Sequence, residues 1–202
     1  MPDMNRREAV ELLAVAPLAI AFNWAPGEID RASRLARAAL RAAQAGAGFE
    51  PKFFTPHEWE TLRVLVDLII PRDERSGSAT DAGVPEFMDF IMTDQPDNQT
   101  AMRGGLAWLD AECRRRLGKT FVECADAERT AVLDDIAWPA RARPELSHGV
   151  AFLNSFRDLT ASGFWSSKMG VEDLQYYGNT FVPEWKGCPQ DALRKLGVRY
   201  DD

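Results

Sequence analysis

Along much of the chain, apolar residues recur three and four positions apart, the spacing that gathers them on one face of a helix. Trp59, Leu62, Val66 and Ile69 form one such row, and Met102, Leu106, Leu109 and Cys113 another. The first row is opened by Thr55, Pro56 and Glu58. They supply a capping hydroxyl, a proline where no amide hydrogen is needed, and a carboxylate placed to reach back to the cap. Pro71 closes that helix, and a polar, turn-rich loop runs from there to Val84 and Pro85. These open a short helix with Phe87, Phe90 and Ile91 inward. The long helix that follows is capped by Asp97 or Asn98; Arg114, Arg115 and Arg116 suit its carboxyl end, and Gly118 its C-cap. Asp126 is the expected cap of a helix bearing Val132, Leu133 and Ile136, bounded by Pro139 and Pro144. Ser147 is the expected cap of another, with Val150, Leu153, Phe156 and Thr160 inward and Gly163 ending it. No stretch alternates with period two between hairpin turns. The pattern predicts an all-α fold, a single compact domain of five or six helices over residues 53–202.

The row breaks down after Gly163. Residues 163–189 hold two of the six tryptophans, two of the three tyrosines, four glycines and one of the three cysteines. Glycines beside aromatics suit a backbone that turns tightly while large flat side chains are anchored. This irregular segment either closes the domain's own core or presents a rigid surface to a partner.

The other end of the chain has a different character. Arg6 and Arg7 precede an apolar run from Leu12 to Phe22, and Ala19-Ile20-Ala21 makes a small-x-small cleavage signature. Residues 1–22 thus follow the plan of an export signal. The paired arginines are similar to those of the twin-arginine type, although Ala9 and Glu11 depart from its usual pattern. The competing reading is a short amphipathic helix packed on the domain; the nearly unbroken apolar run favours the signal. Residues 23–52 read as an Ala/Arg-rich helix and linker, with Arg31, Arg34, Arg37 and Arg41 along one side of a solvated segment.

Composition narrows the function by exclusion. With 202 residues the chain suits one domain with a substantial core. A formal net charge of −7 argues against nucleic-acid binding, which needs a basic face. His57-Glu58-Trp59-Glu60-Thr61 begins like the zinc-protease motif but has threonine where the second ligand belongs. Glu145 and His148 form one Glu-x-x-His, and no second copy exists to complete a di-iron site. Phosphate-cradling glycine motifs and a serine-nucleophile elbow are absent. No catalytic, cofactor-binding or metal-ligating residue is assigned to the chain. Cys113 and Cys124 stand close enough in sequence to pair, which would leave Cys188 free or facing another chain; all three reduced and buried is the other reading.

Three blocks resemble the small (gamma) subunit of gluconate 2-dehydrogenase and its relatives. They are Phe53-Phe54-Thr55 through Asp67-Leu68-Ile69-Ile70-Pro71-Arg72-Asp73, then Asp81-Ala82-Gly83-Val84-Pro85-Glu86-Phe87-Met88-Asp89, then Gly163-Phe164-Trp165 onward to Tyr177-Gly178-Asn179 and Trp185-Lys186-Gly187-Cys188-Pro189. Ser76-Gly77-Ser78-Ala79 stands where that family commonly has a Pro-Gly-Ala loop. The resemblance implies an accessory subunit of a large FAD-dependent dehydrogenase of the glucose–methanol–choline type, acting on a sugar or sugar acid. FAD then belongs to the partner, and some such complexes add a cytochrome c subunit. The small subunit assists maturation and carries the shared signal, so the folded flavoprotein is exported to the periplasm; membrane association would come through the complex. Phe164, Trp165, Tyr176, Tyr177, Asn179, Trp185 and Cys188 are the expected partner interface, and Arg6 and Arg7 the export signal. The rival expectations are a stand-alone periplasmic enzyme or small-molecule binder using the aromatic segment as a pocket, and a membrane-tethered protein anchored by residues 12–22.

Overall fold

The computed structural model describes residues 26–44, 49–175, 181, 183–184 and 187–200. Within these there are eight α-helices and no strand. In chain order they are α1 (Pro26–Gln44), α2 (Pro56–Ile69), α3 (Val84–Asp94), α4 (Gln99–Leu117), α5 (Asp126–Ala137), α6 (Ser147–Trp165), α7 (Lys168–Asp173) and α8 (Gln190–Leu196). Helix α6 is central: α1 through α5, and α7, all pack against it.

Helix α2 begins as its sequence predicts. The Glu58 amide donates to Thr55 Oγ1 at 3.3 Å, and the Thr55 amide donates to Glu58 Oε2 at 2.8 Å. This reciprocal pair satisfies two of the amides that a helix start leaves without partners. Leu62, Leu65 and Val66 are then fully buried, as are Met102, Leu109 and Cys113 on α4.

Other elements differ from the periodic reading. Helix α1 is not simply solvated: Ala32, Ser33 and Ala36 are buried, and the helix lies against α3. Alanines leave room for the close contact, while Arg31 reaches Asp94 at 3.0 Å from the exposed side. Gly163 does not end α6, which runs on to Trp165. A Cβ at Gly163 would lie 2.8 Å from the Phe87 ring, so glycine is needed there for the contact with α3 rather than for a turn. The same device joins α4 and α6, where a Cβ at Gly105 would sit 1.8 Å from Phe152 Cδ2. Asp126 and Ser147 fall at the first position of their helices rather than at the cap. The tail contains two short helices: Ser167 caps α7 by accepting from the Gly170 amide at 3.0 Å, and α8 ends at Gly197.

Two buried carboxylates hold the connections. Asp89, fully buried on α3, accepts from the amides of Lys52, Phe53 and Phe54 at 2.9, 2.9 and 3.3 Å. Asp110 on α4 accepts from the Phe121 amide at 2.9 Å, fixing the loop between α4 and α5. Further along α4, Glu112 takes two bonds from Arg115, at 2.8 and 2.6 Å, and one from Arg116 at 2.6 Å. Arg116 also reaches Asp135 on α5 at 2.5 Å. Helped first by the Arg115 bonds, the Glu112 carboxyl is held down from 4.5 to about 2.

Removing the Asp89 carboxylate leaves the buried amides of Phe53 and Phe54, and the partly buried amide of Lys52, without their acceptor. Asp89→Ala is therefore expected to lower the unfolding free energy by about 3 kcal/mol or more, measured by chemical denaturation; a loss below about 1 kcal/mol contradicts the assignment. A depressed carboxyl pKa stabilises the fold above its unfolded value of 4.5 and loses that contribution as pH falls toward about 2. The stability gap between wild type and Glu112→Gln should thus be full at neutral pH and close across that window. A gap unchanged by acid would show that the ion cluster does not act through Glu112.

Candidate functional site

Two regions merit the search for function: a cleft at the start of α2, and the surface of the C-terminal segment. In the cleft, His57 Nε2 lies 2.5 Å from Asp110 Oδ2, the oxygen that Arg114 approaches at 3.5 Å. Arg103 crosses the rim, donating to the Phe53 carbonyl at 2.7 Å with its guanidinium 4.5 Å from the centre of the Phe53 ring. The cavity is about 250 Å³ and is lined chiefly by Thr55, His57, Glu58, Arg103, Asp110 and Arg114. An imidazole oriented by a carboxylate is half of an acid–base site. The two hydroxyls of the lining are engaged in helix α2 itself. Thr61 donates its hydroxyl to the His57 carbonyl at 3.0 Å, and Thr55 is occupied as the cap of α2. The arrangement therefore stitches α2 to α4, and through Asp110 to the loop at Phe121. Sequence reading met His57 only as the start of an incomplete zinc-protease motif, because its partner lies 53 positions away. Among the described residues, no three His, Cys, Asp or Glu side chains converge as metal ligands.

The C-terminal region is organised in the opposite sense. Phe164 and Trp165 are neighbours with rings edge to face, their centres 4.9 Å apart. Phe164 is only 1% exposed and belongs to the core, whereas Trp165 is 38% exposed. The expected interface residue Phe164 is therefore placed inside the fold, because successive helix positions point about 100° apart. Beyond it, Leu174, Phe181, Leu196, Val198 and Tyr200 are more than half exposed, Phe181 the most at 88%. Of nine large exposed hydrophobics among the described residues, these five and Trp165 make six, all between 165 and 200. Leu35, Leu117 and Trp138 are scattered over the rest. Exposed apolar residues concentrated on one stretch of chain make that stretch the candidate contact segment.

Residues 187–200 fold back on themselves. The exposed Cys188 donates its amide to the Tyr200 hydroxyl at 2.8 Å, and the Tyr200 ring lies against Gly187, whose φ is 84°. Helix α8 and residues 197–200 enclose an open concavity of about 550 Å³, built from this hook alone. Tyr176, Tyr177, Asn179 and Trp185 lie outside the described residues, as do Arg6 and Arg7. Sequence reading missed Leu196, Val198 and Tyr200, which sit beyond the glycine-rich stretch; the available signal was a short apolar row after Pro189 with no helix-length partner.

A helical body with a displayed apolar tail has the features of a subunit that works against another chain. The family comparison agrees: residues 56–183 match the gluconate 2-dehydrogenase subunit 3 family. The chain belongs to that family. No curated protein and no solved structure matches it.

The core and surface assignments separate cleanly by mutation. Phe164→Ala is expected to cost about 3–5 kcal/mol of unfolding free energy, and Phe181→Ala less than about 0.5 kcal/mol, by denaturant titration. Equal losses at both positions would contradict the division between core and display.

Proposed function

We propose that this chain is the non-catalytic small subunit of a periplasmic FAD-dependent dehydrogenase of the glucose–methanol–choline type, which oxidises a sugar or sugar acid. The chain binds the flavoprotein, assists its maturation and accompanies it through twin-arginine export. Hydride transfer from substrate to flavin occurs in the large subunit, where a cytochrome c subunit can receive the electrons. Family membership supports a role as a dehydrogenase subunit. The observation that carries the contact surface is the gathering of Trp165, Leu174, Phe181, Leu196, Val198 and Tyr200 on one segment of the chain. Aromatic residues are over-represented among the side chains that dominate binding energy, and Trp165 and Phe181 are the described anchors. Tyr176, Tyr177, Asn179, Trp185 and Cys188 are further interface residues in this reading. Arg6 and Arg7 supply the export signal for both chains, which suits a partner that must acquire its cofactor before crossing the membrane.

Co-expression with the large subunit is expected to yield a yellow complex that purifies through a tag on this chain. Trp165→Ala combined with Phe181→Ser should reduce the recovered flavin at least about tenfold, the loss of roughly 1.4 kcal/mol or more from the interface. Full recovery by the double variant would refute the contact surface. A large subunit that never co-purifies with the wild-type chain would refute the accessory role itself.

A further inference from the structure

The loop between α4 and α5 is closed over the end of α4 more firmly than its length requires. Asp110 Oδ1 takes the Phe121 amide at 2.9 Å, and a tight turn follows in which the Cys124 amide donates to the Phe121 carbonyl at 3.3 Å. From the far side, Arg129 on α5 donates to the same carbonyl at 3.0 Å and also to that of Val122. Cys113 lies three residues beyond Asp110 on the helix, and Cys124 three beyond Phe121 on the loop. Stitching Asp110 to Phe121 consequently brings the two cysteines to the same part of the interior: both are buried, and Cys124 is among the neighbours that raise the Cys113 thiol. Cys188 is exposed and stands in the separate hook closed by Tyr200.

We propose that Cys113 and Cys124 form a disulfide site that locks the loop at 118–125 onto α4, with Cys188 left outside it. The oxidant is a small or protein-borne disulfide. One cysteine loses its proton, and its sulfur attacks the oxidant's disulfide, breaking that bond and releasing one thiolate. The second cysteine, deprotonated in turn, attacks the sulfur of its neighbour in the mixed disulfide. The new intramolecular bond forms as the second thiolate of the oxidant leaves. The two thiols are thereby oxidised, the oxidant is reduced to two thiols, and the two protons end on them. The closed fold would slow this exchange. Burial, and then the adjacent Cys124 sulfur, push the Cys113 thiol up to about 12, so few thiolates are available once the loop is docked. Exchange therefore belongs to the stage before the loop closes, or to its local opening. The bond constrains the unfolded chain by closing a short loop.

The test is refolding of the reduced full-length chain in a mixture of reduced and oxidised glutathione, followed by alkylation in denaturant and mass analysis. The expected product has lost two hydrogens, carries one alkyl group at Cys188, and yields a single linked peptide joining Cys113 to Cys124. Refolding of C188A should give the same link with no alkyl group. Three alkylated cysteines, or pairings that involve Cys188 as often as the others, would overturn the proposal. C113S offers a further readout that does not depend on the final bond. Cys124, deprived of its resolving partner, should then retain glutathione after refolding, and a Cys124 recovered fully free would count against the site.

Discussion

Everything in the helical body depends on how its non-helical connections are satisfied. With no sheet among the described residues, loop amides that enter the interior need an acceptor, and a buried amide without one is costly. Asp89 is that acceptor for the approach to α2, taking three consecutive amides from a fully buried position. A carboxylate accepting several backbone bonds is compensated for leaving water. The same solution recurs at Asp110, which binds the loop amide of Phe121 and the ring of His57 together. Helix α2 is thus positioned from two sides, by α3 through Asp89 and by α4 through Asp110. In the fold both carboxylates anchor backbone amides.

Close helix contact is the second constraint. At Gly105 and Gly163 the missing side chain makes room for Phe152 and Phe87, letting α4 and α3 approach α6 along its length. Gly163 shows why sequence reading misplaced the end of α6. A glycine after an apolar row ends a helix when the next residues must turn, and lies inside one when an aromatic ring must fit against it. Only the position of Phe87, 76 residues earlier in sequence, distinguishes the two. The cap of α2 was readable because Thr55, Pro56 and Glu58 act on one another locally. The buried stripes of α2 and α4 were readable because period and burial coincide. Packing of α1 was not readable, since its buried face is made of alanine and serine, which carry little hydrophobic signal.

The exposed apolar segment was legible to a similar depth. The cluster of aromatics and glycines after Gly163 lies toward the end of the chain where most of the large exposed hydrophobics fall, but which rings are displayed is decided by tertiary packing. Phe164 and Trp165 are adjacent and alike in character, yet one closes the core and the other borders solvent. The hook at 187–200 escaped a pattern-based reading because it is closed by Tyr200, whose hydroxyl meets the Cys188 amide and whose ring lies against Gly187. The division that results suits a subunit: a body stabilised by its own polar stitches, joined to a segment that holds most of the large exposed hydrophobics among the described residues.

Hydrogen exchange on this chain, alone and bound to the flavoprotein proposed as its partner, tests that division most directly. Slow exchange in α2 through α6 should be the same in both states, because the body closes on itself. Protection gained on binding should fall within residues 165–200. Protection gained mainly in the helical body, with the C-terminal segment unchanged, would contradict the account.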